Sequence, residues 1–190
     1  MLENPRDIEF DVYVLDNAFP EDKHADFLKL IRELDGDWKP RIDDLDVFWF
    51  DWDEEHPGRE YLIYLLDIVG KHFDLSKVIG YETWIRQNTR PYGWHRDHDD
   101  RLEQTTGELK YPICTTVYYP YVDENIKGGR LCFENGTILL PKTNRMAVFG
   151  PGYYHNVEEF RGERLAILLN PWNETLCQTP CYDPWRRYVV

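Results

Sequence analysis

The stretch "GTILLPKTNRMAVFGPGYYHNVEEFRGERLAILLNPW", Gly136 to Trp172, decides the fold class. Four short apolar runs, "GTILLP", "RMAVFG", "YYHNVEEF" and "RLAILLNPW", succeed one another across the turn signals "KTN", "GPG" and "RGE". The same rhythm begins upstream with "IGYETWIRQ", "YPICTTVYYPY" and "GGRLCFE", broken by "NTRPYG" and "DENIKGG". Runs of β-branched and aromatic residues bounded by Gly, Pro and Asn read as strands. Many short strands with no helix between them predict an antiparallel sandwich or barrel, not a parallel α/β sheet.

Before residue 79 the character differs. "FDVYVLDNAF" (10–19) alternates like a strand, and "PEDKHADFLKLIRELDG" (20–36) opens on Pro and acids and closes at Gly36, as a helix does. Phe27, Leu28, Leu30, Ile31 and Leu34 share one face of it. "REYLIYLLDIVGKHF" (59–73) reads as a second, more apolar helix. No repeat or linker divides the 190 residues, so one domain is expected: 1–78 supporting strand and helices, 79–172 the β-core, 173–190 a C-terminal tail.

A hydrophobic content of 42% with 30% charged residues describes a globular chain able to bury a core. The net charge of −13 opposes binding to a phosphate backbone, so no nucleic-acid partner is expected. Neither a secretory h-region nor a membrane-length apolar run is visible, which predicts a cytoplasmic protein with no membrane association. Cys114, Cys132, Cys177 and Cys181 are accordingly expected as reduced thiols. The "CQTPC" pair lacks the second pair that a structural zinc site needs.

Chemistry concentrates in "YGWHRDHDD", Tyr92 to Asp100. In extended backbone, positions i and i+2 share a side, so His95 and Asp97 can face one ion while Arg96 and His98 point away. His155, after the "GPG" turn, is the histidine best placed to join them; His24 and His72 belong to helices and His56 to an acidic loop. Two histidines and one carboxylate form a facial ligand set suited to ferrous iron, with three positions left open. Taken alone, His-x-Asp is more often a solvated polar turn. Arg164 adds weight, because it opens a strongly apolar strand that offers its guanidinium no acid on the same face. A dicarboxylate ligand would satisfy it; the plainer alternative is an arginine capping the strand at the surface.

These residues, with "TTVYYPYVDENIKGGRLCFE" and "LLPKTNRMAVFGPGYYHNVEEFRGERLAILLNPW", resemble the iron(II)/2-oxoglutarate-dependent dioxygenases, and among them the prolyl 4-hydroxylase-like branch. The resemblance spans about residues 79–172, and His155, 58 positions after Asp97 and nine before Arg164, matches the family's spacing. It implies a distorted double-stranded β-helix, a cupin-like jelly roll, mainly β with N-terminal helices. It further implies Fe(II) on His95, Asp97 and His155, with 2-oxoglutarate and O2 as cosubstrates. Arg164 and Tyr119 would then bind the distal carboxylate of 2-oxoglutarate, with Thr115 lining the pocket. Gly128 and Gly129 match the family's "GG" strand opening. No catalytic residue beyond the metal ligands is implied.

Two departures stand out. Where the family often carries a tyrosine about ten residues before the first ligand, this chain has "WIRQN", which leaves Arg86 or Gln87 as substitutes. The segment "DDLDVFWFDWDEE" (43–55) holds seven acids and no base among its aromatics. Val47 to Asp51 reads as a short strand; the segment is either an edge strand with solvated acids or, as the resemblance implies, a flank of the active-site mouth. Trp49 and Trp52, with Trp94 and Arg86, are the candidate substrate-side residues. The implied substrate is a prolyl residue of a peptide or protein; a free amino acid or small natural product is the alternative. Readings of another class are a cupin-like oxygenase that uses no 2-oxoglutarate and a non-catalytic binding module.

Overall fold

The computed structural model describes residues 11–33, 47–86 and 92–177. The end of the first predicted helix (34–36), the acids at 43–46, Gln87, Cys181 and the tail beyond 177 lie outside them. In chain order the elements are β1 (Val12–Asp16), α1 (Glu21–Glu33), β2 (Phe48–Asp51), α2 (Arg59–Val69), β3 (Gly80–Arg86), β4 (Tyr92–His95) and α3 (Asp100–Thr106). After them come β5 (Thr115–Val122), β6 (Lys127–Gly128), β7 (Leu131–Phe133), β8 (Ile138–Leu139), β9 (Arg145–Phe149), β10 (His155–Val157), β11 (Phe160–Arg161) and β12 (Arg164–Trp172).

Six strands form a major sheet in the order β1-β9-β5-β12-β3-β2, and four form a minor sheet, β4-β10-β7-β8. Every pairing within both is antiparallel. The expected jelly roll is therefore present, a double-stranded β-helix with the N-terminal helices packed on its larger sheet. Among the described residues, no helix is long and apolar enough to cross a membrane.

The alternation of each major strand supplies two cores. Tyr118, Leu165, Ile167 and Leu169 face the helices, where Phe27 and Ile31 of α1 and Leu62, Leu65, Leu66 and Val69 of α2 complete a cluster. Phe27 stacks on Tyr61 with ring centroids 4.5 Å apart, which locks α1 to α2. Val117, Tyr119 and Ala166 face the other way, toward Leu131 and Phe133 of the minor sheet. The sheet is thus buried on both sides, which explains why β5 and β12 are apolar at nearly every position.

Two helices differ from the sequence reading. The second ends at Val69, before Gly70, and not at Phe73; glycine is the weakest helix former after proline. Phe73 instead packs edge-on against Tyr13 at 6.0 Å. The β-rich half also contains one helix that its turn-like sequence hid. Asp99 caps α3 by accepting from the Leu102 N–H at 3.0 Å, and Gly107 closes it in the left-handed conformation at φ 76°.

Candidate metal centre

His95 ends β4 and His155 begins β10, and the two are direct cross-strand partners. Opposed residues of an antiparallel pair present their side chains on one face, and here the two imidazole centroids lie 4.2 Å apart. The "GPG" turn delivers His155 to that register, with Gly152 in the left-handed region at φ 71° where a side chain would be strained. Asp97 follows two residues after His95 and brings Oδ1 to 3.7 Å from His95 Nε2. One ligand atom from each of His95, Asp97 and His155 falls within 4.8 Å of the others.

The protonation pattern suits ligation. His95 Nδ1 sits 2.7 Å from the Gly93 carbonyl oxygen, and His155 Nδ1 sits 2.8 Å from that of Tyr153. A carbonyl only accepts, so each Nδ1 must carry its ring proton, and Nε2 is left as the basic nitrogen. Burial, reinforced by the neighbouring His155, lowers the His95 pKa to about 4, so the ring is neutral at ordinary pH. Asp97 Oδ2 accepts from Thr115 Oγ1 at 2.8 Å and from Asn170 Nδ2 at 3.4 Å. These bonds turn Oδ1 toward the histidines. Two Nε2 atoms and one oriented carboxylate oxygen fit a divalent transition metal of the iron type.

A cavity of about 70 Å3 runs from this group to Arg164, between apolar walls that include Val117, Leu131 and Leu168. Tyr119, 1% exposed, lies beside the arginine in the cavity wall. Arg164 is 4% exposed. Its Nη1 donates to the Gly129 carbonyl at 3.0 Å, while its guanidinium lies 4.4 Å from the Phe160 ring centroid and 5.8 Å from that of Tyr119. Its Nε has no partner. Gly129, at φ 70°, accommodates the approach, because a Cβ there would press on the Phe160 ring. Among the described residues no carboxylate pairs with Arg164, and burial lowers its pKa and raises that of Tyr119. A buried, unpaired guanidinium fork is a receptor for an anion.

The remaining candidates are spread more widely. Arg86 reaches the junction of this cavity and a second one. Thr115 contributes through Asp97 and not as a wall. Trp94, on the opposite side of β4 from His95, is 46% exposed and stacks on Tyr154 at 5.6 Å. Trp49 faces the same side of the sheet as its partner Glu82, donates Nε1–H to Asp51 at 2.9 Å and lies over Gly80. Trp52 belongs to the helix-side core, edge-on to Tyr81 at 6.4 Å. His98 is held by Glu103 at 2.7 Å and Asp100 at 3.3 Å, away from the metal-ligating group.

Three residues near the site carry no sequence signal: Trp84, Glu82 and Asn170. Glu82 is 9% exposed and accepts from Trp172 Nε1 at 2.9 Å. Burial and the nearby acids raise its pKa to about 8. Its strand reads as ordinary core from sequence, and an acid at one of its alternate positions gives no hint of facing inward.

The double-stranded β-helix thus sets two histidines and a carboxylate at one end of its cavity and Arg164 at the other. Solved structures of prolyl hydroxylases share the fold. A Pseudomonas putida prolyl-4-hydroxylase matches with a TM-score of 0.60 and 16% identity, over 88% of this chain and 95% of the other. The viral collagen prolyl hydroxylase of Paramecium bursaria Chlorella virus-1, in a 2-oxoglutarate complex, matches at 0.56 and 14%, over 84% and 94%. A prolyl hydroxylase from Trichoplax adhaerens, bound to a hypoxia inducible factor peptide fragment, matches at 0.57 and 16%, over 85% and 83%. No protein-family model matches the sequence, and no curated protein does.

Proposed function

We propose that this protein is an Fe(II)- and 2-oxoglutarate-dependent dioxygenase that hydroxylates a C–H bond, either of a prolyl residue of a peptide, the class of substrate that the fold relatives favour, or of a free amino acid. The observation that carries the reading is Arg164: a buried guanidinium with no carboxylate partner among the described residues, at the end of a cavity that opens onto His95, Asp97 and His155. A dicarboxylic cosubstrate spans those two ends. A cupin-like oxygenase without 2-oxoglutarate gives the arginine nothing to bind.

Ferrous iron, when bound, supplies the oxidative chemistry that couples 2-oxoglutarate decarboxylation to substrate hydroxylation. The chain's own residues bind and orient. His95 and His155 offer Nε2 because the Gly93 and Tyr153 carbonyls hold the proton on Nδ1. Thr115 and Asn170 fix the Asp97 carboxylate. Arg164 takes the distal carboxylate of the cosubstrate in its fork, and Tyr119 lines the same end. Apolar walls keep water out, which strengthens that ion pair. No side chain needs to act as acid or base in C–H cleavage.

The test is succinate release from 2-oxoglutarate with Fe(II), screened over prolyl peptides and free amino acids. Turnover that requires both, with a hydroxylated product, supports the reading. Wild-type protein that binds no 2-oxoglutarate in calorimetry with Mn(II) overturns it. A free amino acid as substrate has separate support in the polar cavity on Glu82.

A further inference from the structure

A second cavity, of about 130 Å3, meets the first at Trp84, Arg86, His95 and Asp97, and its lining is more polar. The first is apolar and ends on a cation. The second is walled by Glu82, Asp100 and Asn170 together with Val47, Arg96 and His98. Glu82 and Asn170 are register partners on β3 and β12, so their side chains stand next to each other on one face.

Asn170 needs a donor there, and Glu82 needs one once it ionises. The Glu82 carboxyl is 9% exposed and receives the Trp172 indole N–H at 2.9 Å on Oε2. Asp97, Asp99 and Asp100 oppose its charge, while Arg86 and Arg96 line the same cavity without an ion pair to it. Asn170 is fully buried and spends one amide N–H on Asp97, while its Oδ1 has no partner among the described residues. A buried carbonyl oxygen without a donor is costly, and so is a buried carboxylate without a cation. An ammonium carries one positive charge and up to three donors, and meets both needs at once.

We propose that this cavity is a subsite for a protonated amine, held by the Glu82 carboxylate and Asn170 Oδ1 beside the metal-ligating group. The substrate is then a small molecule with an ammonium close to the reacting carbon, as in a free amino acid. An internal prolyl residue has neither charge nor N–H on its nitrogen and leaves both acceptors unmet. Calling the amine a substrate rests on the dioxygenase reading; the subsite itself does not.

The experiment is calorimetric titration of the full chain with two cations, n-propylammonium and L-prolinamide, and two neutral counterparts, 1-propanol and N-acetyl-L-prolinamide. At least one cation should bind tenfold or more tighter than its counterpart. Glu82→Gln keeps an acceptor for the Trp172 indole and should erase that preference, while 2-oxoglutarate affinity, measured separately with Mn(II), stays within twofold. Failure of both cations to bind, equal binding of both cations and their neutral counterparts, or a preference that survives in Glu82→Gln overturns the subsite. The wild-type comparison decides the matter even if the variant fails to fold. Cation preference in a protein that binds no 2-oxoglutarate would leave the subsite standing and remove the dioxygenase reading.

Discussion

Replacing Arg164 by lysine separates charge from geometry at the most informative position in the protein. The guanidinium is buried, anchored by one hydrogen bond to Gly129 and by the Phe160 face, and its Nε is left over. An incoming carboxylate therefore meets a fork already fixed in direction, so little rotamer entropy is lost on binding. Lysine keeps the charge but makes single contacts, and it also loses the planar stack on Phe160. One lost charge-assisted hydrogen bond is worth about 1–3 kcal/mol, which corresponds to a rise in 2-oxoglutarate Kd of roughly 5- to 150-fold. Arg164→Ala removes the charge as well and should exceed the upper end, and Tyr119→Phe should fall below the lower. The assay is calorimetric titration of 2-oxoglutarate in the presence of Mn(II), with metal affinity measured alongside. A Kd within twofold of wild type in Arg164→Ala would refute the reasoning and move the carboxylate receptor elsewhere, with Arg86 next in line.

Three further outcomes follow from the site. His95→Ala and His155→Ala should each abolish the thermal stabilisation that added Mn(II) or Fe(II) gives the wild type, while His98→Ala, whose ring is engaged by Glu103 and Asp100, should retain it; loss in His98→Ala alone would reassign the ligands. Thr115→Val removes the 2.8 Å hydrogen bond to Asp97 and should weaken metal binding about 10- to 100-fold by direct titration without unfolding the protein. Glu82, raised to about 8 in the fold, binds its proton more tightly there than in the unfolded chain, so the stability it lends below about pH 4.5 is lost as pH rises through 8. Glu82→Gln cannot ionise, so its melting temperature in metal-free, amine-free buffer should gain on wild type steadily from pH 5 to pH 8; a constant difference across that range would show that Glu82 does not titrate there.

The strands, their antiparallel order of fold, and the shared side of His95 and Asp97 could be read from the chain, because period-two alternation is a local property. His95 and Asp97 share a side by virtue of two-residue spacing, and Arg164 stands out as a charge inside an apolar strand. The two N-terminal helices were visible in the same way, to within a turn at the C-terminal end of α2. Helix α3 was not, since seven residues rich in Asp, Gln and Thr give no apolar stripe, and Asp99 and Gly107 act as its ends only once the flanking loops are placed.

What sequence spacing could not supply was any relation set by cross-strand register. Thr115 lies 18 residues from Asp97 and Asn170 lies 73 away, yet both donate to the same carboxylate oxygen. Trp52, aromatic and acid-flanked, looked like a candidate for the mouth, but β2 pairs with β3 in a register that puts Phe48 and Phe50 in the helix-side core, and Trp52 beyond the strand end packs there too. Trp49, facing the other way, lies over Gly80. Glu82 reads as one polar residue in a core strand until β12 sets Asn170 opposite it. The sequence by itself determined which groups could bind a metal and a dicarboxylate, because ligand chemistry belongs to residue type and local spacing. Only the tertiary structure decided which groups orient those ligands and where a buried acceptor pair lies, because a hydrogen bond depends on ångström-scale proximity that only the paired sheet creates.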